Sequence, residues 1–212
     1  MARVAGRLPL TKEQIVQTAL TLMDKHGVEA ISMRRLASEL QVRPMALYYY
    51  FKHKEALLDA VVDAVLSECD TNITEGDWRE QLRSMCWSYR RMAQRHPKIF
   101  PLAMTHDVNV PSDYVIAEAF LTIFAEAGLS PQMAVRTCNV LITYVAGFAV
   151  DEVTGSLLAF DKTAEAFIAE SEERFPQLYK HRQYLTTVDL DTEFEYGLST
   201  IIKGIAPNSQ EE

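Results

Sequence analysis

The sequence predicts an all-α protein. Apolar residues recur at helical spacing in nearly every segment, and strand-like alternation is absent. Glycine and proline fall between the helical patterns rather than at strand-turn spacing. The 212 residues are 48% apolar and 24% charged, which is typical of a globular protein and not of a disordered one. No uninterrupted apolar run approaches the ~18 residues of a membrane span, and the first ten residues lack the apolar stretch of a secretory signal. We therefore expect a cytoplasmic protein without membrane contact.

The first helix is predicted to begin after Thr11, because Gln14 three residues later completes a capping box. Gly27 is its expected stop. Ser32 is a good cap for the next helix, and Pro44 fits the first position of another, where its missing N–H costs nothing. The predicted spans after the first helix are 33–40, 44 to about 50, and 54 to about 70.

The remainder of the chain also has helical periodicity. Pro97, Pro111 and Pro131 separate the segments, and Asp113 and Ser130 are suitable caps. The segment 154–187 has the weakest pattern. The predicted helices cover residues 78–96, 99–104, 114–127, 132–153, 165–173 and 194–205.

Charge is distributed unevenly along the chain. The net charge is −8, yet residues 1–54 hold nine Lys/Arg against four Asp/Glu, or +5, and the remainder carries −13. A basic head on an acidic body suggests that only the head meets a polyanion. Nucleic acid is the natural candidate, because neutralising its phosphates releases counterions and drives binding. An accidental distribution of surface charge is the alternative.

Two short helices joined by a tight turn within the basic region are typical of a helix-turn-helix motif, in which the second helix enters the major groove. The inward set that would hold the pair at a fixed angle is Leu36, Ala37, Leu40, Val42 and Leu47. The outward set is Arg34, Arg43, Pro44, Met45, Tyr48, Tyr49 and Lys52.

The same region resembles the tetracycline-repressor (TetR/AcrR) family of transcriptional regulators. The resemblance rests on the runs ISMRRLA at 31–37 and ALYYYFKHKEALL at 46–58. Residues 78–80, 127–130 and 194–198 resemble the C-terminal domain of the tetracycline-repressor branch. The family implies an N-terminal three-helix DNA-binding domain and a larger helical domain for dimerisation and ligand binding. The expected divisions are a head at 1–54, a connecting helix and junction at 55–76, the larger domain at 77–206 and a disordered tail at 207–212.

By this resemblance the DNA-binding region spans Ser32 to Phe51. Arg34 or Arg43 would make a bidentate contact to guanine, and Pro44 and Met45 would meet a thymine methyl group. Phosphate contacts are expected from Tyr48, Lys52 and Lys54. The full predicted contact set is Ser32, Met33, Arg34, Arg43, Pro44, Met45, Tyr48, Tyr49, Lys52 and Lys54.

The aromatic run has core packing as its alternative interpretation. We expect Tyr50 and Phe51 to be core residues, and Tyr48 and Tyr49 to face DNA. The family commonly has glycine in the turn where this chain has Gln41. Glycine tolerates a positive φ there, so Gln41 must accept some strain or shift the turn.

The resemblance also implies that two C-terminal helices from each subunit form an intersubunit four-helix bundle. A homodimer would present two recognition helices to a near-palindromic site. The alternative is that both helices belong to the core of a monomer. The predicted dimer residues are Leu141, Val145, Phe148, Phe194, Leu198, Ile201, Ile202 and Ile205.

The body is rich in methionine and aromatic residues, which suit a pocket for an apolar or aromatic effector. Repressors of the tetracycline branch hold a drug–magnesium chelate with a His and a Glu. Here Ala103 and Asp151 stand at those positions, and His106 is three residues away. We therefore expect a different effector and assign no metal ligand or cofactor. The predicted pocket residues are Met85, Tyr89, Phe100, Met104, Phe120, Ile142 and Asp151.

The sequence thus predicts a regulator that binds double-stranded DNA and is released by a small molecule. The alternative is a helical ligand-binding or interaction protein without operator-specific DNA binding. Catalysis is not expected, because no nucleophile–base pair or Gly-rich phosphate loop stands out. Cys69, Cys86 and Cys138 are far apart, without a CxxC spacing, and are interpreted as reduced core thiols.

Overall fold

The computed structural model describes residues 9–105, 110–158, 162–185 and 189–205. These ranges contain helices and connecting turns but no β-strand, so the all-α prediction is confirmed. His106 and the predicted tail at 207–212 lie outside them. The helices are α1 (Lys12–His26), α2 (Met33–Glu39), α3 (Pro44–Tyr48), α4 (Lys54–Leu66), α5 (Trp78–Arg95), α6 (Phe100–Thr105), α7 (Pro111–Glu126), α8 (Pro131–Thr154), α9 (Lys162–Ala169), α10 (Pro176–Leu185) and α11 (Leu190–Gly204).

Three predicted caps are present. The Thr11 hydroxyl oxygen accepts a hydrogen bond from the Gln14 N–H at 3.2 Å, and the Gln14 Oε1 accepts one from the Thr11 N–H at 3.2 Å. Ser32 accepts from the backbone of the third residue of α2 at 3.2 Å. Ser130 starts α8 in the same way, at 3.4 Å. These bonds satisfy N–H groups that the first helical turn leaves without a partner.

Other boundaries differ from the predictions. Helix α7 begins at Pro111, so Asp113 is inside the helix, where its carboxylate accepts the Val110 N–H at 2.9 Å. Helix α11 begins four residues earlier than predicted, after Asp189, whose side chain caps it. Helix α9 ends at Ala169, and α10 was not predicted because its polar sequence lacks a clear apolar stripe.

The helices form two compact units. The first contains α1 to α4, α6 and the first turn of α7, and the second contains α5, the rest of α7 and α8 to α11. The three cysteines are free and buried, as the thiol interpretation predicts. The core of the first unit includes Ile15, Leu36, Leu47, Phe51, Leu57, Val61 and Phe100. The core of the second includes Leu82, Met85, Phe120, Phe124, Leu141, Phe194 and Leu198.

Helix α8 packs against both α5 and α11 in the second unit. Among the described residues, it is also the one helix long and apolar enough to cross a membrane by length and composition alone. Only 33% of its most apolar window is buried inside the structure. Its exposed side carries Val135 and Val140 among polar residues.

Candidate nucleic-acid interface

Helices α2 and α3 are fixed by a small apolar centre. Leu36 and Leu47 are fully buried, and Ala37 is 1% exposed. The turn between the helices closes when the Val42 N–H donates to the Ala37 carbonyl at 2.9 Å. Within this turn Gln41 has φ +53°, the left-handed conformation that glycine adopts more easily. The predicted strain at Gln41 is thus present, and the turn is not shifted.

The outer face of α3 carries large side chains that the first unit leaves uncovered. Tyr49 is 87% exposed and Met45 is 75% exposed, whereas Leu47 between them is buried. Arg43 and Pro44 at the start of α3 are also exposed. Exposed apolar side chains of this size, beside cations, are suited to contact base edges and methyl groups. The other predicted contact residues that are exposed are Ser32, Arg34, Tyr48 and Lys52.

Two predicted contact residues are less accessible. Met33 is 7% exposed and packs inward at the first position of α2, and its contact with DNA stays a prediction. Lys54 is partly buried at the start of α4. Phe51 is 2% exposed and Lys12 lies 5.4 Å above its ring, as expected for a core aromatic residue.

Tyr50 is partly buried and serves the fold of the first unit. Its hydroxyl donates to the Leu10 carbonyl, and its ring meets Tyr49 edge-to-face with centroids 5.2 Å apart. The Tyr49 ring therefore packs against a side chain that is itself held by a hydrogen bond, while the outer surface of Tyr49 is exposed to solvent. A pre-oriented aromatic side chain loses less rotamer entropy when it binds.

His53 has a structural role that the sequence did not indicate. Its Nδ1 accepts the Ala56 N–H at 3.1 Å and so caps α4. Histidine is not among the preferred capping residues, which is why the pattern gave no signal. The cap fixes the helix start between Lys52 and Lys54, the two lysines predicted to meet phosphates.

The second unit is organised around a buried arginine. The Arg90 side chain is 1% exposed, and its Nε and Nη2 donate to the two Glu152 oxygens at 2.7 and 2.8 Å. Nη2 also lies 2.8 Å from Asp191. Nη1 is buried without a hydrogen-bond partner among the described residues. Trp87, Phe148 and Phe194 surround the guanidinium, with ring centroids 4.9 to 5.3 Å from its carbon.

Arg90 and Glu152 each stabilise the charged form of the other. Burial alone raises the pKa of Glu152, but hydrogen bonds from Arg90 and Gln94 and the Arg90 charge lower it below its ordinary value. Burial alone lowers the pKa of Arg90, but the bonds and charges of Glu152 and Asp191 raise it. Asp151, one residue before Glu152, points outward and is exposed.

The predicted pocket residues are distributed over both units. Phe100 and Met104 are in the first unit, on α6. Met85 and Tyr89 on α5 and Phe120 on α7 are buried in the second unit, at 0%, 5% and 1% exposure. The remaining two are on α8, where Ile142 is partly buried and Asp151 is exposed.

The predicted dimer residues lie mostly on the inner faces of α8 and α11. Six of them are 0 to 8% exposed within a single protomer, and their role as dimer contacts stays a prediction. The helical spacing had identified the inner stripe of each helix, while Phe148 and Ile201 are only partly buried. The six are Leu141, Val145, Phe194, Leu198, Ile202 and Ile205.

The outer faces of the same helices expose some large apolar side chains among polar ones. Val135 is 50%, Val140 58% and Tyr196 72% exposed. A groove of about 400 Å³ runs between α8 and α11 here. Its lining is mainly apolar and consists of Leu129, Met133, Arg136, Thr137, Val140, Thr200, Ile201, Gly204 and Ile205.

Both parts of the chain match known protein families. Residues 15–61 match the model of the bacterial regulatory proteins of the tetR family. Residues 72–208 match the model of the tetracyclin repressor-like C-terminal domain. The chain belongs to the TetR family. Because this is a family of transcriptional regulators, the chain is a transcriptional regulator by family.

Named relatives of this TetR-family protein align over most of its length. The class C tetracycline repressor of Escherichia coli is 28% identical over 92% of this chain and 90% of its own. The repressor DrrR1 of Streptomyces coeruleorubidus is 29% identical, over 92% of this chain and 77% of its own. Sequence similarity to repressors thus extends beyond the helix-turn-helix.

Solved structures of relatives have the same fold. ActR of Streptomyces coelicolor, in complex with actinorhodin, has a TM-score of 0.84 at 33% identity and covers 96% of this chain and 100% of its own. BioQ, solved with its double-stranded DNA operator, has a TM-score of 0.67 at 27% identity and covers 92% of this chain and 98% of its own. One relative was thus solved with a small molecule and another with DNA.

The TetR-family protein has no evident metal site in its described part. No group of three or more His, Cys, Asp or Glu residues that could hold a metal ion is found among the described residues. Ala103 occupies the position at which the tetracycline branch is expected to have a histidine, and alanine has no donor atom. The assignment of no metal ligand stays a prediction.

Proposed function

We propose that this TetR-family protein is a homodimeric repressor that binds a near-palindromic DNA operator and leaves it when a small molecule occupies the second unit. The observation that carries the proposal is the outer face of α3, where Met45 and Tyr49 are exposed beside Arg43 while the inner face is fully anchored. BioQ with its operator and ActR with actinorhodin support the two halves of the proposal by their similarity.

The DNA contacts divide into two kinds. Arg34 and Arg43 reach guanine edges, and Pro44 and Met45 reach thymine methyl groups, which gives sequence discrimination. Lys52, together with the start of α4, holds phosphates and sets the position of α3 in the groove. Tyr49 stacks against the sugar–phosphate edge or a base from its tethered position.

Dimerisation uses the outer faces of α8 and α11. Exposed Val140 and the neighbouring groove form an apolar surface that a second copy covers, giving a bundle of two helices from each subunit. This arrangement explains why α8 is highly apolar yet only partly buried in one protomer. The dimer supplies the second recognition helix that a near-palindrome requires.

The effector site lies in the second unit, where Met85, Tyr89 and Phe120 supply polarizable apolar walls. Its ligand is an apolar or aromatic small molecule. Because binding free energies are linked, a ligand that favours the conformation unable to bind DNA weakens operator affinity by the factor by which DNA weakens ligand affinity. Ile142 and Asp151 of the same unit stay predicted contributors, whereas Phe100 and Met104, predicted for the same pocket, belong to the first unit.

The DNA-binding proposal is tested with a duplex that the protein selects from a random-sequence library. Fluorescence anisotropy should give a dissociation constant that rises about tenfold or more for Arg34→Ala, the loss of one bidentate contact being worth about 1–3 kcal/mol. Tyr49→Ala should weaken binding less, by about three- to tenfold. Tyr184→Ala is the matched control, because Tyr184 is 68% exposed on α10 and belongs to the second unit.

Salt dependence separates an operator-binding protein from a helical interaction protein. Several phosphate contacts per subunit should make the logarithm of the association constant fall steeply and linearly with the logarithm of salt concentration. Lys52→Ala should reduce that slope by about one for each subunit. A flat salt response, or selection that enriches no duplex, would favour the interaction protein instead.

The dimer proposal is tested by Val140→Glu. A carboxylate on the apolar surface should shift sedimentation from dimer to monomer and abolish tight operator binding. Val115→Glu is the matched control, since Val115 is 55% exposed on α7. If both variants remain dimeric, the outer faces of α8 and α11 are not the interface.

A further inference from the structure

A buried histidine connects three segments of the first unit. His96 is 7% exposed and directly follows α5. Its Nδ1 lies 2.9 and 3.1 Å from the two Asp24 oxygens on α1. Its Nε2 lies 2.9 Å from the Glu68 Oε1, just after α4. Its carbonyl accepts the N–H groups of Ile99 and Phe100 at 3.0 and 2.9 Å and so begins α6.

The two ring contacts require two protons. An imidazole nitrogen and a carboxylate oxygen attract at about 2.9 Å only when a proton lies between them. A neutral ring carries one N–H, so it can serve Asp24 or Glu68 but must turn a lone pair toward the other carboxylate. The geometry therefore describes an imidazolium between two carboxylates, with an overall charge of −1.

We infer that His96 is a positioning residue for operator binding, whose proton locks the first helix to the end of the connecting helix α4 and to the start of α6. This inference rests on the proposed function. Helix α1 packs against both α2 and α4. The contacts of His96 therefore hold in place a helix against which the helix-turn-helix packs. Without the second proton one carboxylate loses its hydrogen bond to the ring, and the first unit must be reordered when it binds DNA, which weakens affinity.

The surroundings of His96 contain charges of both signs. Asp24, Lys25 and His26 belong to α1, Glu68 follows α4, and Arg95 and Lys98 flank His96 in the chain. The Lys98 Nζ donates to the Lys25 carbonyl at 2.8 Å, a second tie between the same two segments that does not depend on the His96 proton. Desolvation and then the charges of Arg35, Lys25 and Lys98 lower the pKa of His26.

Glu68→Gln is the decisive variant because glutamine has nearly the shape of glutamate, yet its contact with the ring does not need a proton on Nε2. The new amide can donate to the Nε2 lone pair of a neutral ring, while Nδ1 still donates to Asp24. The lock then holds without a second proton. His96→Gln removes the two-sided contact, and His181→Gln is the matched control, an exposed histidine on α10 in the second unit.

Operator affinity is measured at pH 6 and pH 8.5 with the selected duplex. All variants are made in a His53→Asn background, so that the histidine beside Lys52 and Lys54 adds no pH dependence of its own and the helix keeps a good cap. The parent and His181→Gln should bind about fivefold or more weakly at pH 8.5, the lower end of ordinary coupling factors. Glu68→Gln should bind about equally at both pH values, and His96→Gln weakly at both.

A spectroscopic measurement tests the lock without DNA. In histidine labelled with ¹⁵N, both ring protons of His96 should be visible at pH 6 as slowly exchanging signals, and the control variant should retain both. An unprotonated ring nitrogen at pH 6, or a Glu68→Gln variant with the parental pH dependence, would overturn the inference. Failure of the parent to bind any selected duplex would refute the proposed function, while the ring signals would still decide the proton lock.

Discussion

Glu152→Ala should strongly destabilise the second unit. The substitution removes two short charge-assisted hydrogen bonds, at 2.7 and 2.8 Å, from a guanidinium whose side chain is only 1% exposed. Asp191 remains, but its side chain is 70% exposed and water screens it. Breaking a buried ion pair by removing one partner costs about 3–5 kcal/mol, because the remaining charge stays buried. We expect a loss in this range.

The Arg83–Glu195 pair provides the comparison within the same unit. Its geometry is similar, at 2.8 Å, but the side chains are 35% and 37% exposed. Arg83→Ala should therefore cost only about 1 kcal/mol, the upper value for exposed pairs. The double variant Arg90→Met with Glu152→Leu should recover most of the stability lost in Glu152→Ala, because no unpaired charge remains buried.

Urea unfolding at 25 °C, followed by tryptophan fluorescence in a Trp78→Phe background, measures these effects. Trp87 is then the remaining tryptophan, and its ring lies 5.0 Å from the Arg90 guanidinium carbon, so its signal reports on the second unit. A loss of less than about 1 kcal/mol in Glu152→Ala, or a loss no larger than in Arg83→Ala, would refute the reasoning that burial sets the value of this pair.

Three further outcomes are expected. Because the pKa of Glu152 is lowered in the folded protein, its contribution to stability is present above the ordinary carboxyl pKa and is lost as pH falls; unfolding free energies measured from pH 6 to pH 3 should decline less in Glu152→Gln. Burial raises the pKa of Cys69 to about 11 and also raises those of Cys86 and Cys138, so Ellman's reagent at pH 8 should titrate no thiol in the native protein and three after denaturation. Gln41→Gly should raise the free energy of unfolding by about 0.5–1 kcal/mol, and Gln41→Val should lower it by a similar amount, because only glycine adopts the +53° φ of this turn without strain. Urea titration measures both values, and equal stabilities of the two variants would contradict this prediction.

The sequence predicted the features that depend on local chemistry. Thr11, Ser32 and Ser130 cap helices as expected, because capping is decided within four residues. The alternation of buried Leu47 with exposed Met45 and Tyr49 also follows from a single helical turn. Such features need no knowledge of distant contacts.

Features that depend on tertiary partners could not be predicted. The apolar stripe of α11 did not reveal which of its residues pack within the protomer, where Phe194 and Leu198, predicted as dimer contacts, are buried. Arg90 and Glu152 are 62 positions apart, and nothing local distinguishes them from exposed charges. The contacts of His96 leave no local signal in the sequence, since its partners are 72 and 28 positions away.

The shortness of α3 has an evolutionary consequence. The helix has five residues, and its anchorage depends on Leu47 from within and Phe51 just beyond, both in the core. The outward side chains at 43, 45 and 49 have little part in holding the fold together. In the proposed DNA interface, substitutions at these positions can therefore change the recognised base sequence while thermal stability is nearly conserved, which would let duplicated copies of such a gene acquire new target promoters.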